Sequence, residues 1–423
     1  MPMVTRPTRT NRLQLGVVCT ASFVVWAGFG AILPYLPVFL RDQAHASLLL
    51  IGVVAAGYSV GSFAFSSPLG RLSDSIGRKP VLVVGVCLYS VATLLFVSTT
   101  EPWFFVLFRF LEGVGAAAVG PAGQAFLADI TPEHERSRAY GWLTSAQFGG
   151  LVIGPALAVP LYQLGGGQGR WAFYAVFLFG SAVSALTAVA MIVLIREPAD
   201  TAARRLEKPR RPPLRELLTM PVVAFVVMAF TGHYAMGAFE VVWSIYLRDL
   251  GASMSYISAT WVAFSVPMLF SFIGGRLADR HSRWALMMSG YLLAAIAWIV
   301  YGATKNLTLF LIANVVEGFA FAWAFPAKQA FLVQVSPRRW VGTITGLETS
   351  SMQLATLLGS LTAPLLYRVI GGYVMSLGGG LAIIGLLWAA PVLKRTWDGI
   401  VASGEWISTT EAQRLEAEER GSG

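Results

Sequence analysis

The sequence predicts an all-α integral membrane protein whose twelve transmembrane helices form two six-helix parallel repeats around a central cavity. Two observations support this prediction: an apolar composition with many segments of membrane-spanning length, and one charged phrase that occurs twice. Of the 423 residues, 56% are apolar and 13% are charged, and the mean hydropathy is +0.64. Soluble domains average about 25% charged residues, so much of this chain is expected to face lipid.

Continuous apolar runs of about 20 residues are long enough to cross ~30 Å of hydrocarbon. They are too long and too uniformly apolar to be barrel strands, so we expect helices. The first run is too long for a signal peptide and lacks a cleavage site of small residues, so it should be retained. The predicted spans are 14–40, 48–70, 80–98, 103–129, 138–164, 171–195, 221–247, 253–275, 284–303, 307–333, 343–370 and 373–395.

The basic residues lie mostly on one side of the predicted spans. Of the 31 Lys and Arg residues, 24 fall in the two termini, in the even-numbered connections or at the span ends next to them. Two more, Arg109 and Lys328, lie inside spans. Because Lys and Arg accumulate on the cytoplasmic side, both termini are predicted to be cytoplasmic in a multi-pass protein of the cell membrane. The net charge of +9 is therefore a topology signal, and nucleic acid is not an expected partner.

Residues suited to active-site chemistry are scarce. The two cysteines, Cys19 and Cys87, lie inside predicted spans, so a structural disulfide is not expected, and no Cys/His metal spacing occurs. The sequence has no phosphate-binding glycine loop, nucleophile elbow or zinc motif. We therefore expect no cofactor, no metal and no enzymatic activity.

The two halves of the chain share one register, offset by 205 residues. The stretch EGVGAAAVGPAGQAFL, from Glu112, aligns without a gap with EGFAFAWAFPAKQAFL, from Glu317. Six spans separate the copies, so both begin on the same membrane side and the repeats are parallel. The charged, proline-rich stretch between them is expected to be a cytoplasmic linker. The predicted domains are an N-terminal six-helix bundle at 1–195, the linker at 196–220, a C-terminal six-helix bundle at 221–395 and a cytoplasmic tail at 396–423.

A charged phrase stands at the same place in both repeats. It reads GRLSDSIGRKP from Gly70 and GRLADRHSR from Gly275. These first glycines have no Cβ, so they allow helix ends to pack closely. Asp74 and Arg78 lie four residues apart at a membrane rim, where they can pair with each other or with a neighbouring helix. The alternative is an ordinary turn solvated by water.

This phrase resembles the cytoplasmic loop motif of the major facilitator superfamily, which implies that family's fold over residues 12–395. By this resemblance Asp129 is the partner of Arg78, whereas the aligned residue in the second half is Gln334, so the second pairing should be weaker. Ser75 stands where the family usually has an arginine. The resemblance implies a conformational latch made of Gly70, Asp74, Gly77, Arg78, Lys79, Asp129, Gly275, Asp279 and Arg283.

Three further stretches resemble the twelve-helix drug/proton antiporter branch of this family. RFLEGVGAA, from Arg109, is similar to the helix 4 motif of proton-coupled members, with Glu112 in place of the usual glutamine. GFGAILPYLP, from Gly28, is similar to the first helix of drug exporters. GLVIGPALA is similar to the helix 5 signature of proton-driven exporters, although Ala158 and Val159 replace two glycines. Its matching residues are Gly150, Gly154 and Pro155.

Ionisable side chains inside spans are costly and usually mark transport paths or proton relays. The resemblance implies that helices 1, 4, 7 and 10 line the cavity, and the buried charges lie on three of these. Arg109 and Glu112 share a face of the fourth span, and His233 and Glu240 share a face of the seventh. Burial favours a neutral acid whereas a nearby arginine favours the carboxylate, so Glu112 should respond to wetting and to substrate. The residues predicted to couple protons are Arg109, Glu112, Glu240 and Glu317.

Structural alternatives exist for two of the buried charges. Lys328, three turns from Glu317, is alternatively a structural ion pair or a snorkelling end, and His233 is equally a packing residue or a proton carrier. Aromatic residues on the same helices are candidates for an apolar substrate cavity. They are Phe29, Tyr35, Phe239, Trp243 and Trp323.

Together these features predict a monomeric secondary active transporter that works in the lipid bilayer by alternating access. It is expected to export apolar or amphipathic small molecules, including cations, in exchange for protons. One alternative is the same fold moving a defined metabolite, sugar or lipid by symport or flipping. Another is a transporter-like receptor or assembly partner that no longer transports, but the charged motif of the first half is intact, which argues against it.

Overall fold

The computed structural model describes residues 9–131, 136–197, 217–336 and 341–404, and these residues are almost entirely helical. Twelve helices in this part of the chain are long and apolar enough to cross a membrane. Each coincides with one predicted span, so the prediction of an all-helical, twelve-span protein is confirmed. Most of the predicted linker and of the predicted tail lies outside the described residues.

The helices are labelled α1 to α12 by span. Two are interrupted: α1 consists of Arg9–Ile32 and Leu36–Asp42, and α8 consists of Met254–Met268 and Ser271–Arg280. The other helices are α2 Leu48–Ile76, α3 Arg78–Leu94, α4 Pro102–Ile130, α5 Arg136–Leu164, α6 Gly169–Leu194, α7 Met220–Asp249, α9 Arg283–Ala303, α10 Leu307–Val335, α11 Val341–Ile370 and α12 Tyr373–Ala402. A short 3-10 helix, Leu95–Val97, extends α3.

Prolines lie at both interruptions. Pro34 has no N–H to donate, and Pro37 lies in the first turn of the second part of α1, where a missing N–H costs nothing. In α8, Pro267 precedes the break, and the N–H of Phe270 donates to the Pro267 carbonyl oxygen over 3.0 Å. Such turn bonds keep backbone polar groups paired, which the interior of a membrane demands.

Close helix packing depends on glycines at repeat-related positions. A Cβ at Gly154 of α5 would lie 2.3 Å from the carbonyl oxygen of Ala27 in α1. A Cβ at Gly359 of α11, the repeat equivalent of Gly154, would lie 2.2 Å from the carbonyl oxygen of Tyr234 in α7. Because no side chain fits at these distances, each pair of helices packs backbone against backbone. The parallel repeat of the sequence is therefore also a repeat of helix contacts.

The C-terminal span is longer than predicted. The sequence predicted an end at residue 395, whereas α12 continues to Ala402. Trp397 explains the extension, since it is buried against Phe331 with ring centroids 5.4 Å apart. Lys394 and Asp398 also form an ion pair four residues apart on the helix surface, which favours the helix.

The described chain divides into two compact units. The first contains the described residues of Met1–Arg210, Phe239–Ser265 and Ser360–Val369, and the second contains those of Arg211–Ala238, Val266–Gly359 and Ile370–Gly423. Four of the limits between the units fall inside α7, α8 and α11. The predicted division into bundles on either side of the linker stays a prediction.

Candidate functional site

Arg109 is shared by two carboxylates of the first unit. Its Nη1 donates to Oε2 of Glu112 over 2.8 Å, and its Nη2 donates to Oε1 of Glu240 over 3.2 Å. Arg109 is 3% exposed and Glu112 is fully buried, whereas Glu240 is half-buried. The structure places Arg109 and Glu112 on one face of α4, as predicted, and it brings Glu240 of α7 to the same guanidinium.

Three further features surround this charge cluster of Arg109, Glu112 and Glu240. The hydroxyl of Thr93 donates to the second oxygen of Glu112 over 2.6 Å. The ring of Tyr58 lies 4.6 Å from the Arg109 guanidinium carbon, a cation–π distance. The buried Nε of Arg109 has no acceptor among the described residues, so this donor is open to a water molecule or a ligand.

A small cavity adjoins the charge cluster. Its volume is about 20 Å³, and Arg109, Glu240 and Phe29 are among its lining residues. Most of its lining is apolar, and Arg109 and Glu240 are the polar partners that a single water molecule would need in a cavity of this size. Glu240 is therefore the carboxylate of the cluster with both partial exposure and room for water beside it.

Glu317, the repeat equivalent of Glu112, has a different environment. It is 2% exposed and accepts from Trp298 Nε1 and from the Tyr301 hydroxyl, both over 2.7 Å. Asn314 stands at the repeat position of Arg109, and its amide donates to its own helix at Phe310. In the second unit the hydrogen bonds described for Glu317 thus come from neutral donors.

Lys328 forms a buried ion pair with a residue that the sequence analysis missed. Its Nζ lies 2.5 Å from Oε1 of Glu348 in α11, and the two side chains are 0% and 1% exposed. Of the two interpretations of Lys328, the ion pair is correct and snorkelling is wrong. The available signal for Glu348 was an acidic residue inside the predicted span 343–370.

His233 bonds within its own helix. Its Nδ1 lies 2.9 Å from the carbonyl oxygen of Ala229, so the Nδ1–H donates there. Its backbone carbonyl accepts from Thr356 of α11 over 3.4 Å. These contacts agree with the packing interpretation of His233.

The first charged phrase forms a network at the ends of α2, α3, α4 and α6. Arg78 donates from Nε to Asp129 over 3.2 Å and from Nη1 to the Ser73 hydroxyl over 2.8 Å. Glu197, which the sequence analysis missed, accepts from the backbone N–H groups of Arg78 and Lys79 over 2.6 and 2.8 Å. A carboxylate at the start of α3 is favoured by the unpaired N–H groups and by the helix dipole.

Gly77 and Lys79 also belong to this network. Gly77 has a φ of +110°, a conformation that favours glycine, and a Cβ there would lie 2.9 Å from the Glu197 carboxylate. Lys79 Nζ donates to the carbonyl oxygen of Ile192 over 2.7 Å. Asp74 belongs to α2, but its side chain lies outside the described part of the structure, as does any close contact at Gly70.

The second charged phrase has weaker contacts. Arg283 Nη1 donates to Oε1 of Gln334 over 2.8 Å, so Gln334 takes the place that Asp129 has in the first repeat. The side chain of Asp279 is 63% exposed and lies 3.8 Å from Arg283. Close packing at Gly275 is not found, since no described atom lies within 4 Å of a Cβ there. The neighbouring Gly274 makes the close approach instead, since a Cβ there would lie 2.2 Å from the carbonyl oxygen of Ala322.

The helix 5 residues are packing residues in this structure. A Cβ at Gly150 would lie 2.3 Å from the carbonyl oxygen of Phe23, and Gly154 makes the same kind of approach one turn later. Pro155 lies beside Gly30, where a Cβ would be 3.2 Å from the proline ring. This stretch therefore allows α5 to lie directly on α1.

Most of the predicted cavity aromatics are buried in the helix packing. Tyr35 and Trp243 are 0% exposed, and they bond Ser258 and Thr260 respectively. Phe239 is stacked on Trp243 with centroids 4.8 Å apart. Trp323 packs on a core cluster of the second unit. The described contacts of these four residues are packing contacts, and their place in a substrate cavity stays a prediction.

Phe29 does line a cavity, which lies wholly within the N-terminal repeat. The cavity has a volume of about 210 Å³. Its wall combines aromatic, amide, hydroxyl and small side chains of α1 to α6, among them Ser22, Trp26, Phe29, Tyr58, Ser62, Tyr89, Gly115, Ala116, Gly120, Gly123, Gln124 and Gln147. We call it the N-repeat cavity.

Comparisons with known proteins agree with this architecture. A family model described as Major Facilitator Superfamily matches residues 18–262, which is more than half of the chain. A second model, described as MFS_1 like family, matches residues 171–376. Among solved structures, a D-xylose-proton symporter has a TM-score of 0.74 at 17% identity and covers 89% of this chain and 96% of its own. Similarity at this level of identity shows the fold alone.

Two curated relatives illustrate the sequence similarity. Multidrug resistance protein 2 of Bacillus subtilis (strain 168) is 26% identical over 384 residues, which are 86% of this chain and 92% of that protein. Quinolone resistance protein NorA of Staphylococcus aureus is 25% identical over 236 residues, which are 56% of this chain and 59% of that protein. With twelve membrane-spanning helices, the repeated charged phrase and a matching family model, this chain belongs to the Major Facilitator Superfamily and is a transporter by fold.

Proposed function

We propose that the protein exports apolar or amphipathic compounds, including cations, in exchange for protons by alternating access. It does so as a monomer of the cell membrane with both termini in the cytoplasm. The similarity to proteins named for multidrug and quinolone resistance supports drug efflux. The observation that supports proton exchange is the sharing of Arg109 by Glu112 and Glu240.

The charge balance of this cluster supports a role in proton binding. One guanidinium and two carboxylates carry a net charge of −1, and the uptake of one proton makes the cluster neutral. A net charge is costly in a buried site with little water. The cluster is therefore suited to alternate between a protonated, neutral form and a form in which a cation or water compensates the charge.

The geometry supports different roles for the two carboxylates. Glu112 is fully buried and has two donors, Arg109 and Thr93, so both of its oxygens are bonded. Glu240 is half-buried beside the small cavity. We assign the exchangeable proton to the pair that shares Arg109, and Glu240 is the member that a substrate or water reaches first. A substrate shifts this equilibrium only through different affinities for the two states.

The test is uptake of ethidium into proteoliposomes with an imposed pH gradient. Glu112→Gln and Glu240→Gln each remove one carboxylate while keeping the size of the side chain. Each is expected to lower gradient-driven accumulation at least tenfold, while ethidium binding without a gradient stays within about threefold of wild type. Glu101→Gln is the matched control, since Glu101 is exposed at the start of the same helix, and it should behave as wild type.

A third variant, Glu317→Gln, tests whether the coupling site lies in the second unit instead. Because Glu317 accepts from neutral donors, its loss is expected to affect accumulation less than the loss of Glu112. Wild-type accumulation by both Glu112→Gln and Glu240→Gln would refute the assignment. A full loss with Glu317→Gln alone would move the coupling site to the second unit.

A further inference from the structure

The two repeats differ at several positions of the helix that borders the N-repeat cavity. In the first repeat α4 contributes four small residues to the wall, Gly115, Ala116, Gly120 and Gly123, together with Val119 and Gln124. The residues 205 positions after the four small ones are Ala320, Phe321, Phe325 and Lys328 in α10. At three of these four positions the second repeat therefore has a much larger side chain.

The second repeat shows what fills the equivalent volume. Lys328 is fully buried against Glu348, and its Nζ lies 5.3 Å from the centre of the Phe325 ring. Glu348 is itself the repeat equivalent of Leu143, which lines the N-repeat cavity. An ion pair and an aromatic ring thus stand at the repeat equivalents of residues that border the cavity in the first repeat.

The lining of the N-repeat cavity defines a class of ligand. We propose that it binds an uncharged, planar aromatic group with hydrogen-bonding substituents, and that this group is part of the exported compound. The described lining residues include no Asp, Glu, Lys, Arg or His. Burying a charge without a partner is far more costly than burying a neutral group. The part of a ligand that enters this cavity is therefore uncharged.

The rings and amides explain the rest of the specificity. Trp26, Phe29 and Tyr58 form a continuous aromatic surface, with centroids 5.7 Å apart for the first pair and 6.0 Å for the second. Aromatic rings favour offset or edge contacts with another ring at such spacings. Gln124 and Gln147 add amide donors and acceptors to the same wall.

The face of the Tyr58 ring is already taken by a cation. Its ring borders the cavity, and the Arg109 guanidinium lies 4.6 Å from the ring centre. Because Arg109 is itself paired with Glu112 and Glu240, the preference for an uncharged group follows from the lack of charged residues in the described lining. The proposal rests on the proposed function only in taking the ligand to be the exported compound, since binding itself needs no proton gradient.

The volume limits the size of the group. An apolar cavity of about 150 Å³ is enough to bind benzene, and the N-repeat cavity has about 210 Å³. One substituted ring or two fused rings fit this volume. Whole drug-sized molecules need about 300 Å³ or more, so the remainder of a larger ligand lies outside the cavity.

The test uses three probes of the same shape and different charge: 2-naphthamide, 2-naphthoate and 2-naphthylmethylammonium. Binding is measured by equilibrium dialysis with the full chain in lipid nanodiscs, and binding to empty nanodiscs is subtracted. We expect 2-naphthamide to bind wild type at least tenfold more tightly than either charged probe. Equal affinity for the charged probes, or no binding of 2-naphthamide, overturns the proposal.

Variants connect the binding to the cavity. Gly120→Phe introduces the phenylalanine of the second repeat, and no described atom lies within 4 Å of a Cβ at Gly120, so the backbone tolerates it. It should lower 2-naphthamide affinity at least tenfold. Gly380→Phe in α12, where a Cβ is equally free, is the matched control and should bind as wild type. Unchanged affinity in Gly120→Phe, or an equal loss in both variants, overturns the proposal.

A second variant keeps the proposal testable if the first does not fold. Gln147→Leu keeps the cavity open and removes one amide, so it should lower affinity about threefold to tenfold. If Gly120→Phe does not fold and Gln147→Leu binds as wild type, the proposal is refuted. If the wild-type protein binds 2-naphthamide as expected but shows no export driven by a pH gradient, only the proton-exchange mechanism is refuted.

Discussion

Breaking the buried ion pair of Lys328 and Glu348 should destabilise the protein more than removing both charges. Each partner is at most 1% exposed, so a single substitution leaves the other charge buried without its partner. Loss of one partner of such a pair costs about 3–5 kcal/mol, whereas replacing both by apolar residues is often neutral. The first repeat supports this expectation, since it has Gly123 and Leu143 at the equivalent positions.

The magnitude translates into a large shift of the melting temperature. A change of 1 kcal/mol moves Tm by about 2–4 °C for a domain of this size. Glu348→Leu alone and Lys328→Met alone should therefore each lower Tm by about 6–20 °C. The double variant Lys328→Met, Glu348→Leu should return to within a few degrees of wild type.

Thermal unfolding in detergent, followed by tryptophan fluorescence, measures all four proteins of this double-mutant cycle. The exposed pair of Lys394 and Asp398 in α12 is the matched control, because surface pairs contribute about 0–1 kcal/mol. Lys394→Met should change Tm by no more than a few degrees. The prediction is wrong if the single variants have the Tm of wild type, or if the Tm of the double variant falls by the sum of the two single decreases.

Two further predictions concern the latch and the topology. Asp129→Asn removes the charge that pairs with Arg78, so transport should fall about tenfold at unchanged protein level. Gln334→Ala removes only a neutral acceptor and should change the transport rate less than threefold. Equal effects of the two variants would contradict an asymmetric latch. A cysteine introduced in the linker at 196–220 should be shielded from an impermeant thiol reagent in intact cells, whereas one at Lys305 should react, and the reverse pattern would contradict cytoplasmic termini.

Part of the candidate site could be predicted because it follows from spacing along one helix. Arg109 and Glu112 are three residues apart, so any α-helix places them on adjacent positions of one face. The pairing of Arg283 with Gln334 also follows from the repeat, since the same offset relates it to Arg78 and Asp129. These relations need only helical geometry and a shared register.

Other contacts could not be predicted from the sequence because they depend on which helices are neighbours. Glu348 and Lys328 lie on different helices, so the spacing within either helix does not indicate that they pair. Glu197 lies 118 residues from the N–H of Lys79, to which it bonds. For the aromatics, hydrophobicity predicts burial but does not distinguish packing, as at Trp243, from a cavity wall, as at Phe29.

The sequence by itself determined the number of spans, the parallel repeat and the positions of the charged phrases. These are properties of hydrophobic length and of pattern, and lipid admits only helices for such segments. The tertiary structure alone decided the sharing of Arg109 by Glu112 and Glu240, and the cavity among the helices of the first repeat. The reason is physical: a charge or a cavity is defined by the atoms of several helices, and their side chains meet only after the helices have packed.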